Sequence, residues 1–564
     1  MQEFIKKHPE FCALSLLTLL CAFFLFFGID FYPILDNSEA MFASISKNIF
    51  ATDDFKILML NMQPFLDKPP LYFWLIAKSM QLFNMCNELS IRLPNAIISL
   101  IFVFFTYFMG KNLVSRLFGV TSSIILLTSL SYLLLSHIAI LTIAFSFLLT
   151  SALYFGFYAS IQEEKSSKTK YFWWAFYLFC AIACLVKGLI GIILPLLILI
   201  IYNAFSKNLK SIFKPINFLV GMLIFLPITL PWYYEMYVLF GSSFVKNYIY
   251  IPHFKLLFKN LIYYLLLFIP AFMPWSLIFL GYVLNTIKTI VARLKNSTRF
   301  SLISLEQKLN FFCLTSFILI LLYISLREKS IYSLLLLIPS ATILTTYFLC
   351  GSEINKLFKK KVVSFSTYTL AAFFTVSTIS LAFFYMFLPL NLYEHVQKFK
   401  NFVIIGINFV SILMLLKLKN KSILSTLTTY VFSMFFIIVF TVVHGFNMFY
   451  FSGENELVTY AKYATNKNIK LITYNLPVKP SILMESSDYV YFIQSEEVKE
   501  LNKLLKDNRK NLSYLILRNK DIQKTLDKID SEIYLVDSGD KYSLFSNIEL
   551  PKKAISMSKF FNEQ

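Results

Sequence analysis

Apolar stretches of about 17 to 25 residues recur along this chain between short polar segments, and that is the length a helix needs to cross the hydrocarbon of a bilayer. The pattern predicts about thirteen spanning helices. They run over residues 11–28, 92–110, 117–136, 139–160, 171–184, 188–203, 215–232, 260–284, 310–325, 331–350, 363–388, 402–416 and 423–444. A long polar insertion, 30–91, follows the first of them and itself contains two amphipathic stretches, 38–50 and 71–83, that suit interfacial helices. From Ser452 onward the hydrophobicity drops. Short β-like runs at 470–474, 489–492, 513–517 and 532–536 then alternate with helical ones such as 497–505, which reads as a small α/β domain. The expectation is an all-α polytopic membrane domain over 1–451 with a soluble, extracytoplasmic α/β domain over 452–564.

Loop charge gives the helices a direction, because cytoplasmic loops carry the lysine and arginine excess. One side holds Lys111 and Arg116, then Lys165, Lys168 and Lys170, then Lys207, Lys210 and Lys214, and later Lys356, Lys359, Lys360 and Lys361. The opposite side receives the 30–91 loop, the loops at 233–259 and 327–330, and the C-terminal domain. The first helix follows Lys6 and Lys7 and has no small-residue cleavage site, so it is expected to stay uncleaved with the N-terminus in the cytoplasm.

Composition narrows the class. The 564 residues are 57% hydrophobic, which excludes a soluble globule. A net charge of +20 raises the question of nucleic acid, but the cations fall between apolar runs, as topology requires, and no nucleic-acid partner is expected. The seven cysteines lie in or beside apolar runs without metal spacing, so neither a zinc finger nor a disulfide framework follows.

Candidate chemistry concentrates on the extracytoplasmic side. Asp36-Asn37-Ser38-Glu39 reads either as a capping box opening an interfacial helix or as a carboxylate site at the membrane surface, and the two readings are compatible. Asp36 and Glu39 are therefore the candidate catalytic carboxylates. Lys68-Pro69-Pro70 places an ammonium before a helix N-terminus, a combination suited to a lipid-linked phosphate, although proline at a first turn with lysine at headgroup level is equally consistent. Asp67 beside it could hold a divalent cation (zinc, or magnesium or manganese) or simply pair with Lys68. Lys187, Arg327 and Lys329 are cations on a side that should be poor in them. They either snorkel to headgroups or line a pocket for a phosphorylated lipid. His253 is an isolated histidine in the 233–259 loop.

The ordered set of motifs resembles the GT-C membrane glycosyltransferases of the dolichyl-phosphate-mannose protein mannosyltransferase type, particularly the bacterial aminoarabinose transferases that modify lipid A. The stations are Asp36 to Ala43, Asp67 to Trp74 leading to Arg92-Leu93-Pro94, Leu185-Val186-Lys187-Gly188, Phe244 to Phe254 followed by Met273-Pro274-Trp275, and Ser325 to Pro339. The resemblance implies a multi-pass enzyme of the bacterial inner membrane with a periplasmic C-terminal domain. It would take a sugar from a polyprenyl-phosphate donor, without a nucleotide, and pass it to lipid A or to protein. Asp36 would act at the acceptor, Lys68 and Lys187 would hold the donor phosphate, and Arg327 and Lys329 would line the cavity. Asp67 and His253 match a divalent-metal pair in which glutamate is commoner than aspartate. Thr142 stands where these proteins often carry an aspartate. A protein O-mannosyltransferase would share nearly every motif, whereas a lipid or polysaccharide transporter would be expected to show repeated halves with broken helices at corresponding positions, a symmetry the sequence does not display. On this reading Asp36→Asn abolishes transfer while membrane insertion and protein level stay normal; wild-type turnover by the variant would remove Asp36 from the reaction.

Overall fold

The computed structural model describes residues 7–31, 34, 36–162, 169–206, 215–248, 257–295, 304–327, 329–351, 354–386, 427–435, 454–464, 469–486, 489–506 and 512–550. Two compact units are formed: Met1–Ile29, Asp67–Tyr72 and Arg92–Val443 make the first, and Asp30–Leu66, Phe73–Ile91 and His444–Gln564 the second.

The first unit is a bundle of apolar helices, because hydrocarbon cannot satisfy backbone N–H and C=O groups and the helix satisfies them within itself. Among the described residues, seven helices are long and apolar enough to span: Pro9–Phe26, Glu88–Leu113, Leu141–Ile161, Thr169–Lys187, Phe218–Lys246, Leu305–Ser325 and Ile331–Cys350. The chain is thus a multi-pass membrane protein. Of the other expected spans, 402–416 lies outside the described residues.

Two predicted spans are broken. The run at 117–136 is two helices, Arg116–Leu127 and Leu130–Ser136, bent by 64°. The run at 260–284 divides into Leu257–Ala271 and Ser276–Lys295. The two breaks hold each other through one side-chain and one backbone hydrogen bond. The Trp275 indole donates to Thr128 Oγ1 at 3.0 Å, and the Leu130 N–H reaches the Met273 carbonyl at 2.9 Å. After Ser136, the fully buried Asn95 donates to the Leu135 and Ile138 carbonyls at 2.9 and 2.7 Å and accepts from the Tyr72 hydroxyl at 3.4 Å. Arg92, also fully buried, donates to the Ile29 carbonyl at 2.9 Å at the end of the first span.

The second unit contains the helix Asp36–Thr52, a hairpin of β1 (Met59–Leu60) and β2 (Gln63–Pro64), and a five-stranded sheet. Its strands are β3 (Lys470–Tyr474), β4 (Val490–Ile493), β5 (Ser513–Arg518), β6 (Tyr534–Ser538) and β7 (Tyr542–Ser546), in the order β4-β3-β5-β7-β6. β3 runs parallel to both neighbours, whereas β7 is antiparallel to both of its own. The period-2 alternation sends Leu471 to one core and Ile472 and Tyr474 to the other, so both faces of the sheet are covered. β7 escapes the sequence pattern.

The long loop and the C-terminal segment are one structure here. Lys47 Nζ donates to the Met484 and Ser486 carbonyls, at 2.5 and 3.2 Å, closing the end of the helix Pro480–Glu485. At the hairpin tip, where Asn61 and Met62 both have positive φ, the Asn61 amide takes the Val490 N–H at 2.9 Å and gives to its carbonyl at 3.1 Å, along the edge strand.

Asn95→Leu removes the two hydrogen bonds to the Leu135 and Ile138 carbonyls and should destabilise the first unit by about 1–3 kcal/mol. A thermal-shift measurement on purified protein checks this, and an unchanged melting temperature would refute Asn95 as the clasp of the break.

Candidate functional site

Three cations from three separated stretches meet in the first unit. Lys68 precedes the buried Pro69 and Pro70, which deliver the chain into the helix Leu71–Phe83. Lys187 is the last residue of the helix Thr169–Lys187. Gly188, at φ 91°, reverses the chain there as only glycine does without strain, its N–H bonding to the Cys184 carbonyl at 2.9 Å. Arg327 lies in the bend after Leu305–Ser325. Each of the three is half-buried, and each lies within electrostatic range of the other two.

Aromatic groups seat the cations. Lys187 Nζ lies 4.9 Å from the centre of the buried Phe145 ring, and Arg327 Nη1 donates to the Tyr323 hydroxyl at 2.7 Å. Burial pushes the Lys68 ammonium below the usual lysine range; Asp67 opposes the shift, and the Arg327 charge adds to it. Three like charges in half-buried positions repel one another. Such a cluster suits an anion with several acceptor oxygens.

The remaining candidates are placed differently. Lys329 is exposed, its ammonium 4.5 Å from the centre of the Tyr263 ring. Asp67 is exposed next to Lys68. His253 lies outside the described residues, so the Asp67–His253 pair has one described member. No group of three or more His, Cys, Asp and Glu suited to a metal occurs among the described residues, and no step below passes through a metal. Glu39 is 1% exposed in the helix Asp36–Thr52 of the second unit. Asp36 opens that helix. Thr142, 7% exposed, sits in the first turn of Leu141–Ile161, three residues before Phe145.

Sequence reading passed over Phe145, Tyr233, Tyr263, Tyr264, Tyr323 and Asn260. All belong to expected spans or their edges, where hydropathy counts an aromatic as filler. The signal that could have found them is adjacency to cation-bearing turns. Tyr233, for instance, donates to the Cys184 carbonyl at 2.9 Å, at the end of the helix that carries Lys187.

A family model described as dolichyl-phosphate-mannose-protein mannosyltransferase matches residues 67–234. Two uncharacterized proteins of Aquifex aeolicus (strain VF5) are similar in sequence. One is 23% identical over 225 residues, 40% of this chain and 44% of the relative; the other is 29% identical over 236 residues, 41% and 50%. The matches thus span about half of each relative's length or less. The fold is that of ArnT from Cupriavidus metallidurans. The apo structure superposes with a TM-score of 0.76 at 16% identity, covering 96% of this chain and 98% of ArnT. The structure bound to undecaprenyl phosphate gives 0.74 at 16% identity, covering 95% and 98%. The likeness in fold to ArnT therefore reaches well beyond the residues that the family model matches.

The depressed Lys68 pKa has a consequence for stability. The folded protein holds this proton less tightly than the unfolded chain, whose lysine titrates near the ordinary 10.5. Protonated Lys68 therefore destabilises the fold, fully so below its folded pKa, and the penalty is relieved as pH rises from that value toward 10.5. Lys68→Met should raise the melting temperature of ligand-free protein at pH 7, with a gain that shrinks at alkaline pH. A variant no more stable than wild type at pH 7 would contradict the strained-cation reading.

Proposed function

We propose that this protein is a membrane glycosyltransferase that takes a sugar from a polyprenyl-phosphate carrier and passes it to lipid A or lipopolysaccharide. The convergence of Lys68, Lys187 and Arg327 in one unit is the observation that carries the reading. In such a transfer the acceptor oxygen attacks the anomeric carbon and the bond from that carbon to the phosphate oxygen breaks. The carrier phosphate, a monoanionic diester before the reaction, leaves as a monoester with a second negative charge. Three preorganised cations stabilise that growing charge more than they stabilise the starting diester, which is the condition for catalysis rather than mere binding. A hydroxyl acceptor would give its proton to Asp36, a role resting on the sequence resemblance alone. Undecaprenyl phosphate bound to ArnT, whose fold this chain shares, supports a carrier of that chemistry. Loop-charge asymmetry supports a cytoplasmic N-terminus and an extracytoplasmic C-terminal segment, and the motif resemblance supports the bacterial inner membrane.

A second reading, protein O-mannosyl transfer, is favoured by the description of the family model that matches residues 67–234. Mass spectra of lipid A from cells with and without the gene separate the two. Loss of a sugar-sized mass, and failure of Arg327→Ala to restore it beyond about a hundredth of the wild-type rate, is expected. Unchanged lipid A with altered glycoproteins would move the acceptor to protein, and no change in either would sink glycosyl transfer.

A further inference from the structure

We infer that Asn260 and Tyr264 are positioning residues that set Arg327 at the phosphate site, an inference that rests on the glycosyltransferase reading above. The two are four residues apart in the helix Leu257–Ala271, hence on one face, and are 1% and 0% exposed. That face grips both flanks of the Arg327 bend. The Asn260 amide donates to the Ser325 carbonyl at 3.2 Å and to the Arg327 carbonyl at 2.8 Å. The Tyr264 hydroxyl accepts from the Ser330 N–H at 3.0 Å and reaches the Ser330 carbonyl at 3.4 Å. Tyr263, next to it in sequence, lies under the Lys329 ammonium at 4.5 Å.

The physical need is specific to an anion site. The helix Leu305–Ser325 ends where Arg327 begins its bend, and a helix C-terminus presents carbonyls that no longer have intrahelical donors and carry partial negative charge. Left open beside a phosphate, they would repel it and would draw the guanidinium onto themselves. Asn260 answers two of these oxygens with neutral donors. Those two oxygens then no longer compete for the Arg327 guanidinium, which Tyr323 orients from within its own helix at 2.7 Å. An aliphatic residue at 260 would fill the space without supplying either hydrogen bond.

The test is binding of undecaprenyl phosphate to the full-length protein in nanodiscs, with the melting temperature recorded for each variant. Asn260→Leu is expected to bind about tenfold more weakly, the worth of one or two hydrogen bonds, and Tyr264→Phe about threefold more weakly. In an Arg327→Ala background the Asn260→Leu loss should vanish, because a residue that acts through Arg327 has nothing left to position. A purely structural role would instead lower the melting temperature and leave the loss intact in that background. Wild-type affinity in a stably folded Asn260→Leu overturns the inference; if that variant does not fold, wild-type affinity in Tyr264→Phe does so. Failure of the wild-type protein to bind undecaprenyl phosphate at all would instead overturn the functional reading.

Discussion

Where a membrane helix breaks, its terminal carbonyls lose their partners, and the surrounding hydrocarbon cannot replace them. Most of the irregular backbone in the first unit answers to that constraint. Thr128, Trp275 and the Met273 carbonyl knit the break at 127–130, Asn95 closes the one after Ser136, and Asn260 with Tyr264 holds the bend after Ser325. Each closure uses a group distant in sequence. A break can exist only where tertiary packing supplies the missing donor.

The same breaks supply the chemistry. A continuous helix buries its backbone dipoles and offers lipid an apolar face; a helix that stops exposes charged side chains and free backbone groups at one depth. Lys187 stands at a helix end reversed by Gly188, Arg327 beyond another, and Lys68 before a proline-opened N-terminus. The cost is the burial of a charge, which with a smaller contribution from Arg327 holds the Lys68 pKa below the usual lysine range. On the proposed function, an anion bound there would offset that cost.

The second unit solves a different problem, since its loops can reach water. There, polar side chains fix turns rather than close helix breaks. Glu456 accepts the backbone N–H groups of Asp540, Lys541 and Tyr542, at 3.0, 3.1 and 2.9 Å, pinning the turn between β6 and β7. Gly539 leaves room for that carboxylate, since an added Cβ would lie 2.5 Å from the Glu456 carboxyl carbon and the side chain would have to shift. With Lys47 and Asn61 bound to the C-terminal segment, the loop after the first span and the sheet share one core, to which Leu60 also contributes.

The sequence by itself determined the membrane class, the helix Leu71–Phe83, four of the five sheet strands and the cation-bearing motifs. These follow from local periodicity and from the length of apolar runs, which neighbours in space do not alter. It could not reveal the 64° bend inside the 117–136 run, because hydropathy averages over residues whose backbone is satisfied from elsewhere. Nor could it reveal β7, whose short run becomes a strand by pairing with β5 and β6. Tertiary structure alone decided that Lys68, Lys187 and Arg327 meet while Lys329 turns to solvent, and that Asn260 guards the bend beside them. The physical reason is common to all three: periodicity records which face of an element is apolar, whereas a site is made by what other elements bring to its ends.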